Sequence, residues 1–259
     1  MIGAIIGDII GSAYEFKENI EKNMKLFSEK STFTDDTVLS IAVADSILTK
    51  TDYAAKIKEY FNLYPNVGYG KRFKNWADSK EMKPPYNSWG NGSAMRVNPV
   101  GFAFESEKRV IKEAKRSAEC THNHPEGITG ACAVALTIHL ALKGKSKTKI
   151  KDKISSKYGY NLDKSYQNLL ENNRFSVSCQ FTVSQALNCF LNSENFEDSI
   201  IKAIKIGGDT DTIANITGAI SHAFYKKIPE YMIKISLNKL DRRLKRICMK
   251  FVKEYDIRM

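Results

Sequence analysis

The sequence has few of the residues that build disulfide scaffolds, zinc modules or arginine-rich nucleic-acid readers. Among 259 residues there are five cysteines and four histidines. The cysteines, Cys120, Cys132, Cys179, Cys189 and Cys248, form an odd set without a C-x-x-C pair, which excludes a complete disulfide framework and the common zinc ribbons. Cys132, Cys179 and Cys189 lie in apolar or amphipathic stretches, where a free thiol behaves as a small hydrophobe; a reduced, cytoplasmic protein is expected. No Pro/Gly/Ser-rich linker and no fixed-period repeat divides the chain. The apolar start, Met1 to Gly7, lacks a basic leader and is interrupted by Asp8, so neither a signal peptide nor a spanning helix is expected, and no membrane association. Arginine is also scarce: only nine of the 40 basic residues, against a net charge of +11. Specific readers of nucleic acid rely on arginine forks, so a lysine-heavy excess implies a solvated surface and does not specifically indicate nucleic acid. It would also attract anionic nucleotides.

What is present is a substantial apolar fraction, 42%, with helical periodicity almost throughout. Val38, Ile41, Ala42, Ala44, Ile47 and Leu48 follow three-four spacing. Ile128 to Leu142 is apolar nearly all round and predicts a central buried helix. Ala186-Leu187, Phe190-Leu191, and Ile213, Ile216, Ile220 and Phe224 repeat the helical pattern, and a basic amphipathic helix is expected from Asn238 onward. Period-two strands are missing. The expectation is an all-α chain, a compact globular orthogonal helical bundle forming one domain over residues 1–259, monomeric. The lysine-rich run from Lys143 through Lys153 is expected to be a solvated connection between helices.

Two acidic clusters stand out, Thr34-Asp35-Asp36-Thr37 and Gly207-Gly208-Asp209-Thr210-Asp211-Thr212, each directly before an apolar-periodic helix. A helix cap accounts for one residue in each. Capping does not require two carboxylates flanked by hydroxyls, and adjacent like charges repel unless a cation neutralises them. Oxygen donors without His or Cys select hard ions such as Mg²⁺ or Mn²⁺, and two such clusters converging on one pocket would suit a pair of divalent ions. The glycine pair before Asp209 permits unusual dihedrals where the loop turns inward.

Three further segments carry possible chemistry. Ser88-Trp89-Gly90-Asn91-Gly92-Ser93-Ala94-Met95-Arg96 could expose backbone N–H groups to a phosphate just before a helix, although it lacks the lysine of a Walker loop. Cys120-Thr121-His122-Asn123-His124-Pro125-Glu126-Gly127 fits no zinc-finger spacing; a histidine donating to a ligand hydroxyl or phosphate is the better reading, with Pro125 in a first helical turn. His139 and His222 fall within helical patterns. In Gly7-Asp8-Ile9-Ile10-Gly11-Ser12-Ala13-Tyr14-Glu15 the small residues favour close helix packing, and Glu15 could reach a pocket.

Taken in order, Gly7-Asp8 with Glu15, Thr34-Asp35-Asp36-Thr37, Gly90-Asn91-Gly92 through Arg96, Thr121-His122 with Pro125, and Gly207 through Thr212 make the chain resemble the ADP-ribosylglycohydrolase family. That family includes the ADP-ribosylarginine hydrolases and the dinitrogenase reductase-activating glycohydrolase. The resemblance spans residues 7 to 212. It implies two Mg²⁺ or Mn²⁺ ions held by Thr34, Asp35, Asp36, Asp209, Asp211 and Thr212. It places Glu15 beside them, and it assigns Gly90, Asn91, Gly92, Ser93, Met95, His122 and Gly127 to the diphosphate and riboses. The expected reaction releases ADP-ribose from a modified protein or small molecule, with arginine the preferred acceptor. Glu15 or Asp36 would take the proton of the attacking water. The alternatives are a non-catalytic ADP-ribose binder, or a hydrolase of serine-linked or O-acyl-ADP-ribose. The segment Ser221-His222-Ala223-Phe224-Tyr225-Lys226 departs from the family pattern and the chain is short for the family, which leaves the acceptor pocket open.

Overall fold

The computed structural model describes residues 1–258 apart from 16, 18, 19, 21–23 and 173. Among these the chain forms α1 (Ile2–Gly11), α2 (Asp35–Thr49), α3 (Tyr53–Leu63), α4 (Lys71–Ala77), α5 (Gly92–Arg96), α6 (Asn98–Ala103), α7 (Glu107–Glu119) and α8 (Pro125–Leu142). There follow α9 (Lys147–Tyr158), α10 (Tyr166–Asn172), α11 (Cys179–Leu191), α12 (Phe196–Lys205), α13 (Thr210–Tyr225), α14 (Glu230–Lys239) and α15 (Arg242–Glu254). No strand occurs among the described residues; a lone bridge joins Gly90 to Ser178. The all-α expectation holds.

Helix starts follow local chemistry. Thr34 caps α2 by accepting from Asp36 N–H, Asp52 caps α3, Ser106 caps α7 and Asn195 caps α12. Pro125 opens α8, where a missing N–H costs nothing, and His124 Nδ1 accepts from Glu126 N–H at 3.2 Å. Among the described residues the cysteines and histidines form no cluster with metal-ligand spacing, and all five cysteines are free.

The core is organised around α1, α8 and α13. All ten residues of α1 are buried, as are the residues of α13 from Thr210 to Ala223. α8 is long and apolar enough to cross a membrane by composition, yet most of it is buried within the protein. α1 and α13 approach so closely that a Cβ at Gly7 would stand 2.0 Å from the carbonyl oxygen of Ala214. Only glycine fits such a backbone approach. This contact sets Asp8 on α1 beside the first turn of α13.

Two expectations are corrected. The basic C-terminal helix is not continuous from Asn238: α14 stops at Lys239, and Asp241 accepts from Arg243 and Leu244 N–H as the cap that starts α15. The lysine run is not wholly a solvated connection either. Ser146 caps α9, and Lys147 turns inward, its Nζ donating to the carbonyls of Leu191 and Ser193 and lying over the rings of Phe190, Phe224 and Tyr225. Burial there lowers the Lys147 pKa to about 8.

Candidate functional site

The first turns of α2 and α13 meet on one side of a cavity of about 410 Å³. Thr34, Asp35 and Asp36 come from α2 and its cap, and Asp209, Asp211 and Thr212 from α13 and its approach. Thr212 Oγ1 donates to Asp36 Oδ2 at 3.2 Å, a contact between positions 176 residues apart. Glu15, at the end of the turn after α1, offers a carboxylate oxygen within 4.8 Å of those of Asp209 and Asp211. The expected metal ligands and Glu15 therefore share one wall.

The loops that bring them there are held by polar side chains. Asp8, wholly buried, accepts at Oδ2 from the N–H groups of Thr34 and Thr37, at 3.0 and 3.1 Å, and at Oδ1 from Thr34 Oγ1 at 2.7 Å. The Thr34 proton is thereby turned toward Asp8, leaving an oxygen lone pair for the cavity. The sequence gives Asp8 no site role of its own; the fold makes it the residue that fixes the first cluster. Asn91 Nδ2 donates to Asp209 Oδ2 at 2.7 Å and to Thr182 Oγ1 at 3.1 Å. The expected helix cap in the second cluster is absent: Asp209 occupies the N-cap position of α13 but makes no side-chain cap bond, because its carboxylate is drawn to Asn91. Gly207 and Gly208 adopt φ of +75° and +83°, the left-handed region that the inward turn requires.

Asp36 Oδ1 is buried without a hydrogen-bond partner. So many carboxyls in one recess disfavour ionisation. Asp35, Asp36 and Asp209 have pKa values well above the usual carboxylate range, first through burial and next through the charge of Asp211. Asp8 and Glu15 are each raised to about 7 for the same two reasons. A divalent cation reverses this balance, and an oxygen-only donor set with an orphaned carboxylate oxygen fits such an ion.

The other wall is the Gly90–Gly92 loop. It is pinned by Asn91 N–H to the carbonyl of Val177 at 2.9 Å and by Cys179 N–H to that of Trp89 at 3.0 Å. Gly90, Asn91, Gly92, Met95 and His122 line the cavity. Ser93 and Gly127 do not: Ser93 is fully buried and its hydroxyl donates to the Gly127 carbonyl at 2.8 Å, tying the loop to the start of α8. Residues 68–86 contribute wall that the motifs did not indicate. Lys71 and Arg72 at the start of α4 line the cavity, and the Arg72 guanidinium stacks 5.2 Å from the ring centroid of Tyr86. The one available signal was Gly68-Tyr69-Gly70 before two basic residues. The result is a cavity with an acidic wall, a glycine loop with a histidine, and basic and aromatic groups at its edge, including half-exposed Trp89.

Comparison with known proteins agrees with this geometry. The family model described as ADP-ribosylglycohydrolase matches residues 1–257. The chain is 27% identical to human ADP-ribosylhydrolase ARH3 over 311 aligned positions, covering 89% of this chain and 86% of that protein. It is 28% identical to a protein of Archaeoglobus fulgidus, covering 89% and 88%. The aligned span with the human protein exceeds the length of this chain, so the relative carries insertions that this chain lacks. A solved structure titled ADP-ribosylglycohydrolase-related protein complex superposes with a TM-score of 0.72 at 22% identity, covering 100% of this chain and 97% of that one, which establishes the fold.

Proposed function

Because the chain belongs to the ADP-ribosylglycohydrolase family, hydrolases of ADP-ribosyl glycosidic bonds, we propose that it cleaves the bond from C1″ of the distal ribose to a modified acceptor, arginine in preference to serine or an O-acyl group. The products are ADP-ribose and the free acceptor. The reading rests on one observation: both acidic clusters and Glu15 converge on the cavity that the Gly90–Gly92 loop closes on another side.

In this reading Thr34, Asp35, Asp36, Asp209, Asp211 and Thr212 hold two divalent ions, Mg²⁺ or Mn²⁺. Such ions, when bound, orient sugar hydroxyls and lower the pKa of a water. The chain's own residues do the rest. Asp8 and Asn91 keep Thr34 and Asp209 in place, and Thr212 steadies Asp36. Glu15 is half-buried and makes no side-chain hydrogen bond among the described residues, with a pKa raised to about 7 by burial and by Asp211. In this reading its carboxylate accepts a proton from the attacking water. Asp36, the other candidate base, already accepts from Thr212, which suits it to a ligand's role. C1″ develops positive charge as the bond breaks, and the carboxylate-lined wall favours that charge. A cationic guanidinium acceptor is favoured by the same wall. The five free cysteines support a cytoplasmic location.

The test is a panel of arginine-, serine- and O-acyl-linked ADP-ribose, scored for free ADP-ribose with Mg²⁺ or with EDTA. Release of ADP-ribose, fastest from arginine, lost in EDTA and in Asp35→Asn, supports the reading. EDTA-resistant turnover defeats the role of the ions, preference for serine defeats the acceptor assignment, and AMP or phosphate as product indicates phosphoester cleavage instead.

A further inference from the structure

Behind the glycine loop lies a chain of hydrogen bonds that ends on His122. Arg96, at the end of α5, is wholly buried. Its Nη2 donates to Thr121 Oγ1 at 2.7 Å and to the Ser117 carbonyl at 3.0 Å. A guanidinium offers only donors, so the threonine oxygen accepts in that contact. The same oxygen lies 2.7 Å from His122 Nδ1. Thr121 has one hydroxyl proton; given to Nδ1, it would continue the chain that starts at Arg96 and make Nδ1 the acceptor. A nitrogen that accepts carries no proton. The ring is neutral, since burial, then the charges of Arg96 and Arg72, hold the His122 pKa well below the usual histidine range. A neutral imidazole with a bare Nδ1 has its proton on Nε2.

The Nε2 edge faces the loop. A Cβ at Gly92 would lie 3.1 Å from His122 Nε2, and one at Gly90 would lie 3.8 Å away. The missing side chains of these glycines leave Nε2 open toward the cavity, of which His122 forms part of the wall. Among the described residues no protein acceptor pairs with it.

We propose that Arg96 and Thr121 are positioning residues that lock His122 in the Nε2–H tautomer, so that the cavity wall presents a fixed, uncharged donor to a ligand oxygen that only accepts, as the diphosphate oxygens of ADP-ribose do. The ligand part rests on the ADP-ribose reading of the cavity; the tautomer part does not. A hydroxyl ligand could adapt to either tautomer by rotating its proton, whereas a phosphate oxygen opposite a bare Nε2 would set two acceptors against each other. The lock therefore has a consequence for affinity only with an obligate acceptor.

The test uses the full-length protein with ¹⁵N-labelled histidine, read by long-range imidazole NMR, and ADP-ribose binding by calorimetry in Mg²⁺. Thr121→Val removes the hydroxyl at nearly constant volume, and Thr121→Ser restores it. Wild type and Thr121→Ser are expected to show Nδ1 bare, Nε2 protonated and equal affinity. Thr121→Val is expected to populate Nδ1–H and to bind ADP-ribose about tenfold more weakly, the loss of one hydrogen bond to a charged oxygen. A protonated Nδ1 in the wild type overturns the relay whatever the protein binds. A changed tautomer in Thr121→Val with unchanged ADP-ribose affinity overturns the donor role. If the wild type shows Nε2–H yet binds no ADP-ribose, the relay stands and the ligand assignment falls.

Discussion

Asp209→Asn offers the sharpest perturbation of the acidic wall. Glu15, Asp209 and Asp211 bring carboxylate oxygens within 4.8 Å of one another. At an effective dielectric constant of about 20, two charges at that separation repel by about 3–4 kcal/mol, and Asp209 faces two of them. The ion-free protein escapes part of this cost by retaining protons, for burial and then Asp211 raise the Asp209 pKa well above its usual range. At about pH 7.5 holding one carboxyl proton costs at most about 5 kcal/mol, which caps what neutralisation can return. The amide keeps an oxygen for Asn91, so one hydrogen bond survives. We expect Asp209→Asn to stabilise the protein in EDTA by about 2 kcal/mol, or about 4–8 °C in melting temperature for a chain of this size. The sign follows from the raised pKa. The folded state holds protons that the unfolded chain has released, so the wild-type penalty grows as pH rises above the ordinary carboxylate value and vanishes as pH falls. The lead of the variant should therefore close toward about pH 4. Magnesium should invert the order, since an ion at a hundredfold excess over its Kd stabilises by about 2.7 kcal/mol, an increment the variant should largely lack. Thermal melts from pH 4 to 8, in EDTA and in Mg²⁺, measure both effects. A variant that melts below wild type in EDTA at pH 7.5, or that gains the full Mg²⁺ increment, refutes the reasoning.

Gly7→Ala would place a carbon 2.0 Å from the Ala214 oxygen and force α1 off α13; urea unfolding should show a loss of about 3 kcal/mol or more, and an unchanged midpoint would contradict the close approach. Asn91→Ala frees Asp209 from its 2.7 Å partner, and calorimetric titration should show Mg²⁺ binding weakened about ten- to a hundredfold; unaltered affinity would show that Asp209 needs no support. Lys147→Ala removes the ammonium that donates to the Leu191 and Ser193 carbonyls and lies over three rings, with an expected cost of about 1–3 kcal/mol by denaturation. Since the folded lysine has a lowered pKa of about 8, the wild-type lead should widen as pH rises from about 8 toward 10.5, and a lead that narrows would argue against its burial.

The errors of the sequence reading share one cause. Thr34 as a cap, Pro125 in a first turn and the buried run of α8 are local features, settled by a residue and its neighbours within one or two turns. Lys147 belonged by its neighbours to a solvated run; it turns inward because two carbonyls and three rings of α11 and α13 meet at its place. The cap expected within the second cluster is missing because Asn91, 118 residues from Asp209, takes its carboxylate. Ser93 sits in the glycine loop's motif yet faces Gly127, and Arg72, outside every motif, lines the cavity. Which way a side chain points depends on what is packed beside it.

The two acidic clusters are written in the chain, as are their positions at helix starts and the hard-oxygen chemistry of their donors. So is the helical class, because periodicity and capping act between near neighbours. That the clusters share one cavity is a tertiary fact. It depends on glycine-mediated contact between α1 and α13, where Thr210 Oγ1 donates to the Gly11 carbonyl across 199 positions at 2.9 Å, and on Asp8 gripping the Thr34 loop from that same helix. Backbones approach that closely only where no Cβ intervenes. Glycines permit the approach, but burial of the surrounding core is what selects the partner helix.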